Sequence, residues 1–164
     1  MKIRMLAVFV ALAVAATLVT LSLADEAKKA SAAAAHKIVR STDLKWTPLL
    51  KGTEMAIVSG DPDKDGEPYV IRIRQVDGAK VPPHCHPGDE SVTVLKGTFL
   101  VGMGETYDES KLQAMNAGNF TFIPKEMRHF GTCKGETVVQ VHGIGPFKVN
   151  WVNPAEVVPP DAKK

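Results

Sequence analysis

Residues 78–97 read GAKVPPHCHPGDESVTVLKG, and two histidines in this stretch flank a cysteine. Side chains alternate along an extended segment, so His84 and His86 point to one side and Cys85 points to the other. Glu90 has the parity to lie on the histidine side again. Two imidazoles and a carboxylate on one face suit Mn, Fe, Ni, Cu or Zn. The stretch therefore predicts a transition-metal site; a strand that carries two histidines for solubility is the alternative.

The rest of the chain has the pattern of short strands separated by turn residues. Apolar and polar residues alternate within residues 69–75, which is the period of a half-buried strand. The intervening segments are rich in Gly, Pro, Asp and Asn, and no long helix is indicated. These features predict an all-β sandwich or small barrel. We expect strands at 54–59, 69–75, 91–96, 98–103, 119–123 and 137–142, and one helical turn at 108–113.

A second segment, GNFTFIPKEMRHFGTC at residues 118–133, follows after a short interval. Together the two segments resemble the two motifs of the cupin superfamily, G-x5-HxH-x3-E-x6-G and G-x5-PxG-x2-H-x3-N. The resemblance spans roughly residues 52–150. The positions that match are Gly78, His84, His86, Glu90, Gly97, Gly118, Pro124 and His129.

The resemblance implies a jelly-roll barrel, also described as a double-stranded β-helix. In such a barrel His84, His86, Glu90 and His129 bind one divalent transition metal. Three nitrogens and one oxygen leave open positions on a six-coordinate metal, which water, substrate or dioxygen can occupy. Metal identity stays open among Mn, Fe, Ni, Cu and Zn.

Two residues depart from the second motif. Glu126 stands where the motif has glycine, so we expect a different turn conformation with this side chain in solvent; a proton acceptor in the pocket is the alternative. Cys133 stands where the motif has asparagine, and shares the parity of His129, so it is a candidate core or pocket residue. Cys85 faces the opposite way, which disfavours a disulfide between the two cysteines.

The last predicted strand has one polar face and one apolar face. Gln140 and His142 share the first, whereas Val139 and Val141 share the second. If the polar face looks into the barrel, Gln140 and His142 line the pocket; if the valine face does, they are solvated. The candidate catalytic residues, which share a titratable side chain, are Glu90, Glu126 and His142.

The N-terminus has the pattern of an export signal. Lys2 and Arg4 precede a long apolar run, and small residues end at Ala24. We expect cleavage after Ala24 and a periplasmic or secreted protein; an uncleaved N-terminal anchor, with membrane contact, is the alternative. The predicted organisation is a signal peptide at 1–24, a flexible alanine-rich tether at 25–37, the barrel at 38–159 and a C-terminal tail at 160–164.

The net charge and the analogy with the fold narrow the set of possible functions. Without the leader, 18 basic residues face 18 acidic ones, and no basic patch is visible, so nucleic acid is not a predicted partner. The first hypothesis is a metal-dependent oxidoreductase of the dioxygenase type, or a related enzyme such as a lyase, acting on a small organic molecule. The alternative is a non-catalytic module that binds or senses a metal or small ligand. Fold analogy also suggests a homodimer, formed through residues 46–50 or 145–154.

Overall fold

The computed structural model describes residues 36–160 of the 164-residue chain. The predicted leader and nearly all of the predicted tether lie outside these residues. Within the described residues, no helix is long and apolar enough to cross a membrane. Short 3₁₀ turns occur at Ser41–Asp43, Glu109–Lys111 and Pro154–Glu156. The strands are β1 (Thr47–Leu50), β2 (Thr53–Ser59), β3 (Pro68–Gln75), β4 (Val81–Cys85), β5 (Glu90–Met103), β6 (Gln113–Asn116), β7 (Phe120–Ile123), β8 (His129–Ile144) and β9 (Asn150–Trp151).

The two longest strands, β5 and β8, form an antiparallel ribbon that organises the sheet. They pair from Ser91 opposite His142 to Met103 opposite His129. Around the first part of β5 and the last part of β8 lie β7, β3, β2 and β1. Around the other half of the ribbon lie β6, β4 and β9. The ribbon therefore joins two faces of one curled antiparallel sheet, which is the predicted all-β jelly-roll fold.

The ribbon curls so strongly that its two ends meet. Glu90 opens β5 at one end and His129 opens β8 at the other; a straight ribbon would separate them by about 40 Å. Instead, Oε2 of Glu90 lies 3.4 Å from Nε2 of His129.

The bend lies where two glycines interrupt the ladder. Register shifts fall on both sides of Lys96, and Gly97 and Gly135 have φ angles of +76° and +68°. The backbone N–H of Thr98 donates to Oγ1 of Thr137 (3.2 Å), and this hydroxyl lies 3.3 Å from the Thr98 carbonyl. These contacts hold the two strands together through the bend.

The interior of the curl is apolar. Val92 and Val94 of β5 face Val141 and Val139 of β8, and Ile71 of β3 packs beside them. All of these side chains are at most 3% exposed. Each contributes about 1.5–3 kcal/mol by leaving water.

The six predicted strands are all present, but two details differ. The segments 96–97 and 133–136, which we expected to be turns, lie inside β5 and β8 as bulges because positive-φ glycines let the ribbon bend without ending it. The Pro-rich segment 81–85 forms the strand β4, since prolines are tolerated where few ladder bonds are made. The turn at 109–111 forms as expected, with Asp108 accepting from the N–H of Ser110.

We predict that Gly97→Ala destabilises the protein by about 3 kcal/mol or more. A Cβ at this position would lie 2.4 Å from Oγ1 of Thr137 and 2.6 Å from the carbonyl oxygen of Glu136, in addition to the strain of a positive φ. Gly66→Ala is the control: its φ is +73° but a Cβ there meets nothing within 4 Å, so it should cost only about 1 kcal/mol. Equal losses in denaturant unfolding would contradict the clash.

Candidate metal centre

Three histidines from separate places in the chain converge at the mouth of the curl. His84 lies in β4, His86 follows that strand directly, and His129 is the first residue of β8. Their ligand nitrogens all lie within 4.8 Å of one another. Glu90, the first residue of β5, lies beside them, and all four side chains are buried. The structure thus brings together the four residues that the cupin motifs single out.

Backbone carbonyls orient the three imidazoles in the same way. A carbonyl oxygen only accepts hydrogen bonds, so each Nδ1 must carry the proton and donate. The Nε2 lone pairs are then available for a cation, as in metal sites where the distal nitrogen is fixed by a hydrogen bond. For His84, His86 and His129 the acceptors are the carbonyls of Pro82 (2.8 Å), Lys148 (2.7 Å) and Met127 (3.0 Å).

The Nε2 atom of His86 is buried and has no hydrogen-bond partner in the structure. The nearest charged atom is Oε2 of Glu90 at 3.7 Å, beyond hydrogen-bond range, and the same oxygen lies 3.4 Å from Nε2 of His129. A buried polar atom without a partner is costly. A cation held by the three Nε2 atoms and this carboxylate would satisfy it, and nitrogen with oxygen is a donor set that suits transition metals.

Burial keeps His84 and His86 neutral. Desolvation, with the nearby His129 and His86, lowers the pKa of His84 to about 3. Burial likewise lowers the pKa of His86, although Glu90 opposes the shift. Burial alone would raise the pKa of Glu90, but the neighbouring His129, His86 and His84 outweigh it and lower the pKa. At neutral pH His84 and His86 are therefore neutral and Glu90 is a carboxylate, the states that bind metals.

The histidines form one end of a mostly apolar cavity of about 60 Å³. Its walls include Val92, Ile123 and Val141. Two buried polar side chains, Thr53 and Gln75, also line it. Neither residue is predicted from the sequence to line a pocket, although Gln75 shares the parity of Ile71 and Ile73 along β3.

The C-terminal segment 145–154 packs against the histidines. Phe147 stacks on His86, with ring centroids 4.8 Å apart, and the Lys148 carbonyl orients the same ring. Trp151 lies in β9 opposite His84, with centroids 5.2 Å apart. Fold analogy predicts only a dimer contact for this segment. No spacing rule connects it to the histidines, so the sequence carries no signal for this role.

Gln140 and His142 lie on the outer face of β8, not in the cavity. Val139 and Val141 face inward and line it, which decides between the two orientations left open by the sequence. Gln140 accepts a hydrogen bond from Nε of Arg72 at 3.2 Å. His142 is exposed and borders an outer groove.

Glu126 also lies outside the cavity. It is exposed and has a φ of +61°, so it adopts the left-handed conformation that glycine adopts without strain. Our expectation of a different turn at this position is therefore wrong, because the Glu126 N–H donates to the His86 carbonyl (2.8 Å) and this bond holds the turn.

Both cysteines are buried free thiols. Cys85 faces away from the histidines and its Sγ lies 3.5 Å from the Glu126 carboxylate. Cys133 donates to the carbonyl of Val76 and is not among the residues that line the cavity. Neither thiol contacts the histidine cluster in the described residues.

A family model described as the ChrR cupin-like domain matches residues 34–148, about 70% of the chain. The chain belongs to this cupin family. Germin-like protein 3-1 of Oryza sativa subsp. japonica is 38% identical over 62 residues, which are 37% of this chain and 28% of that protein. The chain thus covers less than a third of the length of the germin-like relatives.

Solved structures share the fold of this cupin at lower identity. The polyketide cyclase RemF from Streptomyces resistomycificus has a TM-score of 0.61 at 21% identity, over 74% of this chain and 89% of that one. Rhodobacter sphaeroides SigE in complex with the anti-sigma ChrR has a TM-score of 0.50 at 24% identity, over 63% of this chain and 51% of that one. One fold thus serves an enzyme and a protein of a regulatory complex, so it does not fix the activity.

We predict that Glu126→Gly raises the free energy of unfolding by about 1 kcal/mol, because it removes left-handed strain from a residue with a side chain. The neighbouring exposed Lys125 has no positive φ, so Lys125→Gly should lower stability by about 0.5–1 kcal/mol. Urea unfolding of both variants measures the difference. A loss of stability in Glu126→Gly would show that its contact with Cys85 outweighs the strain.

We predict that both thiols react at least about tenfold more slowly with Ellman's reagent than a free thiol at pH 8. Burial, and next the Glu126 carboxylate, raise the pKa of Cys85, and burial raises the pKa of Cys133. A raised pKa reduces the thiolate fraction at pH 8, so the rate should increase above that pH. Both thiols should titrate rapidly in guanidinium; rapid reaction in the native protein would contradict the burial.

Proposed function

We propose that the protein binds one divalent transition metal through His84, His86, Glu90 and His129 and is a metal-dependent enzyme acting on a small organic molecule. The observation that carries this proposal is the buried, unpartnered Nε2 of His86 within a set of three converging imidazoles. Within this class we propose an oxidoreductase of the dioxygenase type, because a site with three nitrogens and one oxygen leaves positions open for two reactants.

The metal would supply Lewis-acid or redox chemistry at the mouth of the cavity. The surrounding residues hold the histidine rings in position. The carbonyls that hold the Nδ1 atoms fix the rings, and Phe147 and Trp151 cover the histidines and limit water. Glu90 acts as a ligand and is the one candidate acid or base that lies in the cavity, since Glu126 and His142 lie outside it.

The cavity limits the shape of the substrate. Its volume is about 60 Å³, whereas an apolar cavity that holds benzene is about 150 Å³. A slim, unbranched molecule therefore fits this site better than an aromatic ring. The apolar walls favour a hydrocarbon body with a metal-binding group at one end.

A binding or sensing module is the second candidate. The structural likeness to SigE in complex with the anti-sigma ChrR, and the family's description, favour it. We propose that either function is carried out outside the cytoplasm, as the N-terminal sequence pattern predicts. The likeness to the cyclase favours the enzyme.

We predict that protein purified from its native compartment contains about one equivalent of transition metal, and that His86→Ala retains less than about a tenth of it. Elemental analysis measures the content. His142→Ala is the matched control, because His142 is exposed on the outer sheet face and should leave metal content unchanged. Full metal content in a folded His86→Ala variant would contradict the proposed site.

We predict that the metal form binds azide or nitric oxide at an open coordination position, which a spectroscopic titration detects. This response is expected of an enzyme. A binding module whose metal is fully coordinated would give no spectral change, and that result would favour the second candidate.

In either case a metal at about 100 times its dissociation constant should stabilise the fold by about 2.7 kcal/mol, which chelation reverses.

A further inference from the structure

Two buried polar atoms in the cavity have no hydrogen-bond partner. They are Nε2 of Gln75, whose side chain is 1% exposed, and Oγ1 of Thr53, which is 2% exposed. Both residues line the same cavity as the histidines. Burial of an amide or hydroxyl without a partner destabilises a fold. A molecule that enters the cavity can supply the missing partner.

The register of the sheet places these residues at the opposite end of the cavity from the histidines. Thr53 of β2 pairs with Gln75 of β3, which pairs with Thr137 of β8. Thr137 lies at the bend of the ribbon, and its hydroxyl is satisfied by backbone carbonyls. Paired residues of antiparallel strands point to one face, so the row forms a polar floor.

Two apolar rows separate this floor from the histidine end. Val141 pairs with Ile71 and Val139 pairs with Ile73, and each pair lies between the level of Glu90 and the level of Gln75. The cavity is therefore polar at both ends and apolar between them. No lysine or arginine lines it in the described part of the chain. A charged group at the floor would be buried without a counter-ion, so the floor suits a neutral group.

We propose that Gln75 and Thr53 form a second binding subsite that hydrogen-bonds the neutral, oxygen-bearing end of an unbranched carboxylic acid. This inference rests on the proposed function, in which the metal at the histidines binds the carboxylate. The amide of Gln75 donates to the distal hydroxyl or carbonyl oxygen of the ligand. The hydroxyl of Thr53 accepts from the distal hydroxyl or donates to the carbonyl. Gln75 and Thr53 thus discriminate between ligands by the group at the end opposite the carboxylate.

The test measures binding of paired ligands to the metal-loaded full-length protein by calorimetry. The probes are short unbranched carboxylates of about two to four carbons, which suit the small cavity, each compared with the same chain bearing a terminal hydroxyl. We expect the protein to bind at least one hydroxy acid about tenfold more tightly than its methyl-ended match. Gln75→Leu should reduce this preference to within about twofold and leave the methyl-ended acid bound as well or better.

Matched variants separate the subsite from a general effect on packing. Gln140→Leu removes a glutamine from the outer face of the sheet and should keep the preference. Thr53→Val should weaken the preference, and Gln75→Met replaces Gln75→Leu if the latter does not fold.

Two results would overturn the inference. One is the absence of a preference at any chain length in the unmodified protein. The other is a preference that survives both Gln75→Leu and Thr53→Val, which would mean that the pair binds only trapped water. If the unmodified protein binds no metal, the proposed function fails as well. If it binds metal but shows no preference, only the second subsite fails.

Discussion

The bend of the β5–β8 ribbon is the constraint on which the rest of the structure depends. Glu90 and His129 are ligand candidates from opposite ends of this ribbon, and they meet because it curls back on itself. Gly97 and Gly135 supply the positive-φ residues that the bend requires. A side chain at Gly97 would collide with Thr137, whose hydroxyl joins the two strands through the bend. The positions of Glu90 and His129 therefore depend on the packing around Gly97 and Thr137 at the bend.

Burying the histidine cluster costs free energy, and a bound cation would offset that cost. Three imidazoles and a carboxylate are removed from water, and burial lowers the pKa values of His84 and His86. The carbonyls of Pro82, Met127 and Lys148 accept a hydrogen bond from one nitrogen of each ring, and the buried Nε2 atom of His86 has no partner. The neutral rings of His84 and His86 bind a cation without first losing protons, so the arrangement favours metal binding at neutral pH.

Sequence predicted that the histidines and Glu90 converge, because strand geometry and motif spacing are local rules. Alternation places His84, His86 and Glu90 on one side, and the second motif adds His129. The contributions of Phe147 and Trp151 could not be predicted, because they depend on where the chain returns after β8. The bend was misread for a related reason: a glycine that ends a strand and one that bends it have the same local sequence signal.

The cavity has a chemical polarity that neither motif reveals. Gln75 could have been found, since it shares the parity of Ile71 and Ile73 in the strand that precedes the first motif, and a glutamine among inward isoleucines is unusual for a core. Thr53 could not, because its only signal is the register that places it opposite Gln75. The histidine end, the two apolar rows and the polar floor give the cavity two chemically different ends. Such a shape distinguishes ligands by length as well as by chemistry, because only one length satisfies both ends at once.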